Sequence, residues 1–344
     1  MMMNNRKAIL TKCLMVGLIA ILLLTLSGGC AKPENENGDE NVGNDPVSLT
    51  IRTAAIGGNM HIIGGALGKL IEMNIPGSTT TVEPGGSGSN PITVSSGDAE
   101  IGTTMYSNAV QAFDGVPPYE EPIKNVGAIA NLNIRQWICF VTTNKNFSSL
   151  REMIEAKYPM KLVLGQPGST SEVLIAWILE AYGVDYDVIK SWGGSVTHVS
   201  PADSVNLMKD GHADVFATIP SLQLPAVVDL CMARDVKFLP IDKEIVDKVA
   251  EDKGLLTGSL PAKTYKGQEE DYYSLMETQI IIANTDIVSD ELAYEITKLL
   301  VENADYMKNA HSDMNTFDPK IASTNTGFPL HPGSAAYFEE LDAK

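Results

Sequence analysis

The sequence of 344 residues contains little positive charge and no common catalytic motif. It holds 25 lysines and arginines against 43 aspartates and glutamates, which gives a net charge of −18 at pH 7. Nucleic-acid binding requires clustered lysine and arginine to neutralise phosphates, and no such cluster occurs. Nucleic acid is therefore not a predicted partner, and the acidity is typical of a protein that stays soluble at a cell surface.

Motifs for nucleotide binding and for hydrolysis are also missing. The chain has no Walker A sequence, no Gly-x-Gly-x-x-Gly and no Gly-x-Ser-x-Gly, so neither a nucleotide site nor a nucleophile elbow is supported. The five histidines are scattered and lack His-Glu-x-x-His spacing, which argues against zinc. No catalytic residue, metal site or cofactor is predicted, and the chain is not expected to be an enzyme.

Cysteine is scarce as well, with four in the chain. Cys139 lies in an apolar run at 137–141, and Cys231 follows a helix-like apolar stretch. An exported protein could pair these two cysteines in a disulfide, and the alternative is that both are buried free thiols. Neither has the spacing of a metal ligand.

The amino terminus has the pattern of an export signal. Three basic residues in the first twelve precede an apolar run at 13–27. That run is too short to cross a hydrocarbon layer of roughly 30 Å, which takes about 20 residues. Residues 1–30 are therefore predicted to be a signal peptide that is removed from the mature protein.

The end of this segment predicts a membrane anchor. Ser27, Gly28 and Gly29 directly precede Cys30, and small residues before a cysteine resemble the lipobox of bacterial lipoproteins, in which the cysteine is lipidated. Residues 31–46 are mostly polar, and Val42 is their one large apolar residue, so they cannot bury enough surface to fold. We expect a lipid on Cys30, a flexible tether over 31–46, and a globular body at the outer face of the cytoplasmic membrane; simple secretion is the alternative.

The remaining chain, about 300 residues, is long enough for two lobes. Short β-rich runs alternate with longer helix-like stretches, which indicates an α/β fold with mostly parallel sheets. Predicted strands cover 47–53, 79–83, 101–104, 126–132, 138–142, 161–164, 214–218 and 279–283, and predicted helices cover 62–73, 92–96, 149–156, 172–182, 202–209 and 290–310.

Three loops rich in glycine, serine or threonine each follow a predicted strand and precede a predicted helix. They cover 54–58, 85–90 and 165–171. Ligands of open α/β sheets bind beyond the carboxyl ends of the strands, where helix N-termini offer free N–H donors to anions. A single loop of this kind is also a common capped turn, but the recurrence of three favours an anion site.

Two side chains near these loops have two possible roles each. His61 follows the first glycine turn and could face a ligand or could be a solvent-exposed helix residue. Arg135 lies near the expected crossing between lobes and could pair bidentately with a carboxylate or could form a surface salt bridge.

Six short motifs occur in a consistent order over residues 49–340. They are the frame Thr53, Gly57, Gly58, Gly64 and Gly65, and the segments at 96–102 (SGDAEIG), 165–172 (GQPGSTSE), 210–214 (DGHAD), 264–268 (TYKGQ) and 329–335 (PLHPGSA). Together they resemble the TAXI-type solute-binding proteins of tripartite ATP-independent periplasmic (TRAP) transporters.

The resemblance implies a monomer with a two-lobed, type II periplasmic-binding-protein-like fold that closes around a ligand by hinge motion. It also implies a small organic anion, glutamate-like or dicarboxylate-like, that is delivered to the TRAP membrane subunits. The chain is expected to cross after strand 138–142 and to return before strand 279–283, so lobe 1 takes 47–142 and 272–344, and lobe 2 takes 143–271. Alternatives are the receptor of an ABC-type importer, an extracellular hydrolase of anionic substrates, and a surface adhesion protein.

The predicted ligand-binding residues come from the loops and from the resemblance. They are Thr53, Gly57, Gly58, Asn59, His61, Gly86, Ser87, Gly88, Tyr106, Arg135, Gln166, Pro167, Gly168, Ser169, Thr170, Ser171, Pro220 and Ser221. The segments 56–62 and 105–107 differ from the usual family sequences, so the fold is carried over and glutamate as the ligand is not. A ligand carboxylate is expected at the start of the helix that Ser169, Thr170 and Ser171 open.

Overall fold

The computed structural model describes residues 45–222 and 224–343. The predicted signal peptide, the lipidation candidate Cys30 and residues 31–44 of the predicted tether lie outside the described residues. Within the described part of the chain, no helix combines the length and the apolar composition that crossing a membrane requires.

The first sheet joins the amino-terminal strands to a strand from late in the chain. Its members are β1 (Ser48–Arg52), β2 (Thr79–Glu83), β3 (Ile101–Met105), β4 (Val126–Asn131) and β13 (Gln279–Asn284), in the spatial order β2-β1-β3-β13-β4. β1 is parallel to β2 and β3. β13 is antiparallel to β3 and β4, between which it inserts.

The second sheet is built from the middle of the chain. Its members are β6 (Cys139–Thr142), β7 (Lys161–Leu164), β8 (Ser195–His198), β9 (Val215–Thr218) and β10 (Lys237–Phe238), in the spatial order β10-β6-β9-β7-β8. β7 is parallel to β8 and β9, whereas β6 is antiparallel to β9 and β10. The prediction of mostly parallel sheets was therefore wrong. β6 and β13 arrive from another sheet and not through a helical crossover, so nothing imposes a parallel direction on them.

A small third sheet marks where the chain passes between the two large ones. It consists of β5 (Gln136–Trp137), β11 (Leu256–Leu260) and β12 (Tyr272–Glu277), in the order β11-β12-β5. β5 leads into β6, and β12 leads into β13, so the outgoing and returning segments pair with each other through Glu277 and Gln136.

This pairing shows which sheet each crossing strand joins, and the predicted lobe boundaries stay a prediction. The strand at 139–142 belongs to the second sheet, and residues 272–277 pair within the third sheet, whose Tyr272 and Leu275 pack in the same buried cluster as the second sheet. The chain leaves the first sheet after Asn131 and re-enters it at Gln279. A short apolar strand such as 138–142 suits either sheet, so the sequence pattern could not assign it.

The helices connect these strands and cover both large sheets. They are α1 (Asn59–Asn74), α2 (Asn90–Ser96), α3 (Tyr106–Asp114), α4 (Leu150–Glu155), α5 (Thr170–Ala181), α6 (Tyr186–Ser191), α7 (Pro201–Lys209), α8 (Pro225–Ala233), α9 (Lys243–Lys253), α10 (Asp290–Glu302), α11 (Ala304–Ala310) and α12 (Pro332–Asp342), with 3-10 turns at Ser312–Thr316 and Pro319–Ile321.

The long helix predicted over 290–310 is interrupted at Asn303, which separates α10 from α11. The Asn303 side chain donates a hydrogen bond to the backbone oxygen of Leu299 at 2.9 Å. Asparagine competes for backbone hydrogen bonds in this way and is a weak helix former. Amphipathic periodicity continues through the break, which is why the pattern predicted one helix.

Each large sheet has its own hydrophobic core. Phe140 and Phe216 belong to a cluster around the second sheet. On β13, Ile281 packs in one cluster while Ile280 and Ile282 pack in another, because successive side chains of a strand point to opposite faces. The first sheet is therefore covered on both faces, and the predicted two-lobed α/β fold is confirmed.

The two described cysteines are buried free thiols. Of the two alternatives for Cys139 and Cys231, the structure therefore shows the unpaired one. Burial raises the pKa of both thiols, that of Cys231 to about 11, so neither is a reactive thiolate at neutral pH.

Candidate functional site

A cavity of about 770 Å³ opens beside the crossing between the sheets. Its wall combines the start of α1, the outgoing crossing, the segment before α8, and the first 3-10 turn. The lining residues are Gly57, Asn59, Ile134, Arg135, Gln136, Ser221, Leu222, Leu224, Pro225, His311, Ser312, Asp313, Asn315 and Thr316. Four predicted ligand-binding residues (Gly57, Asn59, Arg135 and Ser221) therefore share one cavity, to which both halves of the fold contribute.

Arg135 is the one lysine or arginine among these lining residues. Its side chain is exposed, and within the described part of the chain it makes no ion pair. The surface salt bridge that the sequence also allowed for Arg135 is therefore not formed with any described residue. An unpaired guanidinium in a cavity is free to bind a carboxylate through two parallel hydrogen bonds.

The same cavity holds a carboxylate on another part of its wall. The side-chain amide of Asn59 donates to Asp313 Oδ2 at 2.7 Å, and the Asp313 backbone N–H donates to Nδ1 of His311 at 3.1 Å. Asn59 thus holds Asp313 in place, although 254 residues separate them. Asp313 and His311 were not predicted from the sequence, because no local pattern signals a contact between residues so far apart in the chain.

Thr53 and His61 lie together behind the first loop. The Thr53 hydroxyl is 2.8 Å from His61 Nδ1 and donates to the Glu83 backbone oxygen at 2.9 Å. Thr53 is fully buried, so its hydroxyl contacts protein groups and joins the ends of β1 and β2. The predicted role of Thr53 as a ligand contact stays a prediction, and His61 is half-buried.

The loop that contains Gly86, Ser87 and Gly88 is held by a buried asparagine that sequence analysis missed. Asn90 donates from its amide to the backbone oxygens of Thr53 at 2.6 Å and of Thr103 at 2.7 Å. It also accepts the Gly86 N–H at 3.1 Å. Asn90 thereby joins this loop to the ends of β1 and β3, and its position directly after the Gly-Ser tract was the available signal.

The backbone oxygens of this loop point into the protein. The Thr104 hydroxyl donates to the Ser87 oxygen at 2.7 Å, and the Tyr119 hydroxyl donates to the Gly88 oxygen at 2.8 Å. Both carbonyls are therefore occupied, so the groups that Ser87 and Gly88 can offer a ligand are their N–H donors and the Ser87 side chain.

The start of α3 is tied to the returning crossing. Glu277 is 1% exposed and accepts the Ser107 N–H at 3.1 Å, while the Tyr106 N–H donates to the Thr278 oxygen at 3.0 Å. Burial raises the pKa of Glu277 to about 7. Tyr106, a predicted ligand-binding residue, is half-buried. Burial is the main cause that raises the pKa of Tyr106, and the nearby Glu277 carboxyl group raises it further.

The start of α5 is capped by the protein itself. The Ser169 hydroxyl accepts the Glu172 N–H at 3.4 Å, and the Gly168 N–H donates to Glu172 Oε2 at 3.1 Å. The Thr170 hydroxyl donates to Oδ1 of Asn108 in α3 at 2.9 Å. These donors are therefore occupied by protein groups. The Glu172 carboxylate would also repel the carboxylate of a ligand. The predicted carboxylate site at this helix start stays a prediction.

The remaining predicted ligand-binding residues lie in or next to the loops that connect strands to helices. Gln166 and Pro167 are exposed, and the Ser171 hydroxyl lies 3.3 Å from that of Ser169. The buried Pro220 accepts the Trp137 N–H at 3.1 Å through its backbone oxygen. Gly58 precedes α1 as its capping residue without a side-chain cap. None of these features by itself defines a site.

The described residues contain no group of three or more histidine, cysteine or acidic side chains placed to hold a metal ion.

Several solved structures of bacterial proteins are weakly similar to this chain. The aliphatic sulphonate-binding protein SsuA of Escherichia coli is 15% identical, with 86% of this chain and 79% of that chain covered at a TM-score of 0.43. XAC2383 of Xanthomonas citri bound to chloride is 12% identical, with 86% and 96% covered at a TM-score of 0.48. PhnD1 of Prochlorococcus marinus in complex with methylphosphonate is 14% identical, with 79% and 91% covered at a TM-score of 0.48.

A protein-family model covers most of the sequence. The model of the NMT1-like family matches residues 51–341, which include the second sheet, all of the first sheet except the start of β1, and every residue that lines the cavity. The chain therefore belongs to the NMT1-like family.

Proposed function

We propose that this protein is an extracytoplasmic receptor that binds a small organic anion between two lobes and delivers it to the membrane subunits of a TRAP transporter. The observation that carries the proposal is the Arg135 guanidinium, which makes no ion pair with any described residue and lines a cavity of about 770 Å³. Small-molecule sites are typically clefts of this size with a few convergent polar groups. The TAXI-type resemblance supports the choice of transporter.

The two crossing segments form the proposed hinge. Lobe 1 then takes the residues up to about 135 and from about 278, and lobe 2 takes the residues between them, as the strand pairing suggests. Closure by a hinge requires few connections between lobes, and here β5 and β12 provide them side by side. The Thr170–Asn108 hydrogen bond is the proposed contact of the closed state, since it joins α5 of lobe 2 to α3 of lobe 1.

The proposed receptor is a monomer that is held at the outer face of the cytoplasmic membrane by a lipid on Cys30. The sequence around Cys30 supports the anchor, and the polar segment after it gives the body reach from the membrane. A tethered receptor stays near its membrane partner, which raises the effective concentration of the loaded form.

Mass spectrometry of the ligand that co-purifies with the tag-free protein, followed by calorimetric titration, tests this function. Arg135→Gln should weaken binding of that ligand roughly 10- to 100-fold, the range expected for a charge-assisted contact. Lys248→Gln removes the same charge from an exposed position on α9 and should leave affinity unchanged. An Arg135→Gln variant that binds within twofold of the parent would refute this site.

The transporter class is tested by uptake into native membrane vesicles supplied with the purified receptor and its radiolabelled co-purified ligand. A TRAP partner predicts uptake that follows an imposed ion gradient without ATP. Uptake that requires ATP and ignores the gradient would instead assign the receptor to an ABC-type importer.

A further inference from the structure

Resting on the proposed function, the character of the cavity wall narrows the chemistry of the ligand. We propose that the ligand is an amphipathic monocarboxylate, whose carboxylate pairs with Arg135 and whose hydrocarbon part lies against Leu222, Leu224 and Pro225. This class differs from the glutamate-like or dicarboxylate-like anions that the sequence resemblance suggested.

Apolar side chains lie in the same cavity wall as Arg135. Leu222 is 40% exposed although it lines the cavity, and Ile56, which precedes the cavity-lining Gly57, is 76% exposed. Leu224 and Pro225 continue the apolar wall at the start of α8. Large apolar side chains that face a water-filled cavity are stabilised when a hydrocarbon group covers them.

A smaller cavity borders the same arginine. This cavity of about 320 Å³ shares Arg135, Leu222 and Thr316 with the first. It adds the apolar Trp137, Pro261 and Ile321 and the polar Ser259 and Asp318. Apolar residues therefore border Arg135 in both cavities. A ligand that is anchored by its carboxylate at Arg135 meets hydrocarbon-compatible surface in either direction.

The lining of the larger cavity holds little positive charge. Two positive side chains would best balance the two charges of a dicarboxylate, but Arg135 is the one lysine or arginine among the residues that line this cavity. The other fixed charge there is the Asp313 carboxylate, which Asn59 holds at 2.7 Å. Like charges disfavour one another, so a second ligand carboxylate near Asp313 is penalised, whereas an uncharged tail is not.

The larger cavity is wide enough for a ligand with a hydrocarbon tail. A volume of about 770 Å³ lies within the range of sites that enclose drug-sized ligands, which is about 300–1,000 Å³. A compact four-carbon diacid would leave most of this space to water, while a longer acid would displace that water from the leucine side chains. The size, the apolar lining and the charge of the cavity thus all favour an amphipathic monocarboxylate.

Calorimetric titration of the ligand-stripped protein with butanoate, hexanoate and octanoate tests the inference. Affinity should rise about fourfold for each methylene that is buried against the wall. Succinate and glutamate should bind at least about tenfold more weakly than octanoate, since each lacks a tail and carries a second carboxylate. 1-Octanol has the same tail without the charge and should lose most of the affinity.

A matched pair of variants assigns the tail to Leu222. Leu222→Asn should weaken octanoate about tenfold. Val116→Asn changes an apolar residue that is similarly exposed, at 43%, in the turn after α3, outside both cavities, and should leave octanoate affinity unchanged. Equal octanoate affinities in these two variants would overturn the proposed tail contact.

The outcomes separate this inference from the receptor function. If succinate or glutamate binds more tightly than octanoate and Arg135→Gln weakens that binding, the receptor function stands and the amphipathic class is refuted. If no carboxylate binds and Arg135→Gln leaves the affinity for the co-purified ligand unchanged, both proposals are refuted.

Discussion

The buried carboxyl group of Glu277 should make the stability of this protein depend on pH in a direction opposite to that of most acidic residues. It lies at the end of β12, where the returning chain leaves the third sheet, and is 1% exposed. It accepts the Ser107 N–H at 3.1 Å, but burial outweighs this bond and raises its pKa from 4.5 to about 7.

The magnitude follows from the difference in proton binding between the folded and unfolded states. Between pH 4.5 and about 7 the folded protein keeps the Glu277 proton, which the unfolded chain has already lost. The free energy of unfolding therefore falls as pH rises through this window, by about 3 kcal/mol in total. The stabilising contribution is complete below pH 4.5 and is lost above pH 7.

Glu277→Gln keeps the shape and an oxygen acceptor for Ser107 but cannot ionise. We expect this variant to match the parent near pH 4.5 and to be more stable at pH 8 by about 3 kcal/mol. For cooperative unfolding of a body of about 300 residues, this corresponds to a Tm that is higher by roughly 5 °C.

Thermal denaturation followed by circular dichroism at pH 5, 6, 7 and 8 measures the effect. Glu251→Gln, which removes an exposed carboxylate on α9, is the control and should follow the parent at every pH. If the Tm difference between Glu277→Gln and the parent stays constant from pH 5 to pH 8, the carboxyl group does not titrate in this window and the reasoning fails.

Three further predictions concern the lobe contact, a helix contact and the anchor. In a double-mutant cycle of Thr170→Val and Asn108→Ala, thermal unfolding should give a coupling of about 1 kcal/mol, and full additivity would show that their 2.9 Å hydrogen bond contributes nothing. In Gly333→Ala the new Cβ would clash with the Asp290 backbone oxygen of α10, so chemical denaturation should show a loss of at least about 2 kcal/mol in stability. Gly65 lies inside α1, and a Cβ there would meet no atom within 4 Å. Gly65→Ala should therefore stabilise the protein by about 1 kcal/mol in the same assay. Cys30→Ser should move the protein from the membrane fraction to the soluble extracytoplasmic fraction with unchanged ligand affinity, and unchanged fractionation would refute lipid anchoring.

The sequence by itself determined the local structure and the class of the fold. The strands at Thr79–Glu83 and Lys161–Leu164 were predicted with their observed bounds, because alternation, β-branched residues and flanking turn residues act over a few neighbouring positions. Four of the predicted ligand residues, including Arg135 and Ser221, do line the cavity. Their loops follow strands, and the carboxyl ends of strands are where such folds bind ligands.

Only the tertiary structure decided which distant residues meet and which way the crossing strands run. Local apolar periodicity is the same for a strand in either lobe and in either direction, so the pattern could not show that β6 belongs to the second sheet or that β13 is antiparallel. The contact of Asn59 with Asp313, and the burial that raises the pKa of Glu277, arise from packing between segments that are far apart in the chain. Desolvation and long-range hydrogen bonds depend on the assembled neighbours of a group, and those neighbours exist only once the chain has folded.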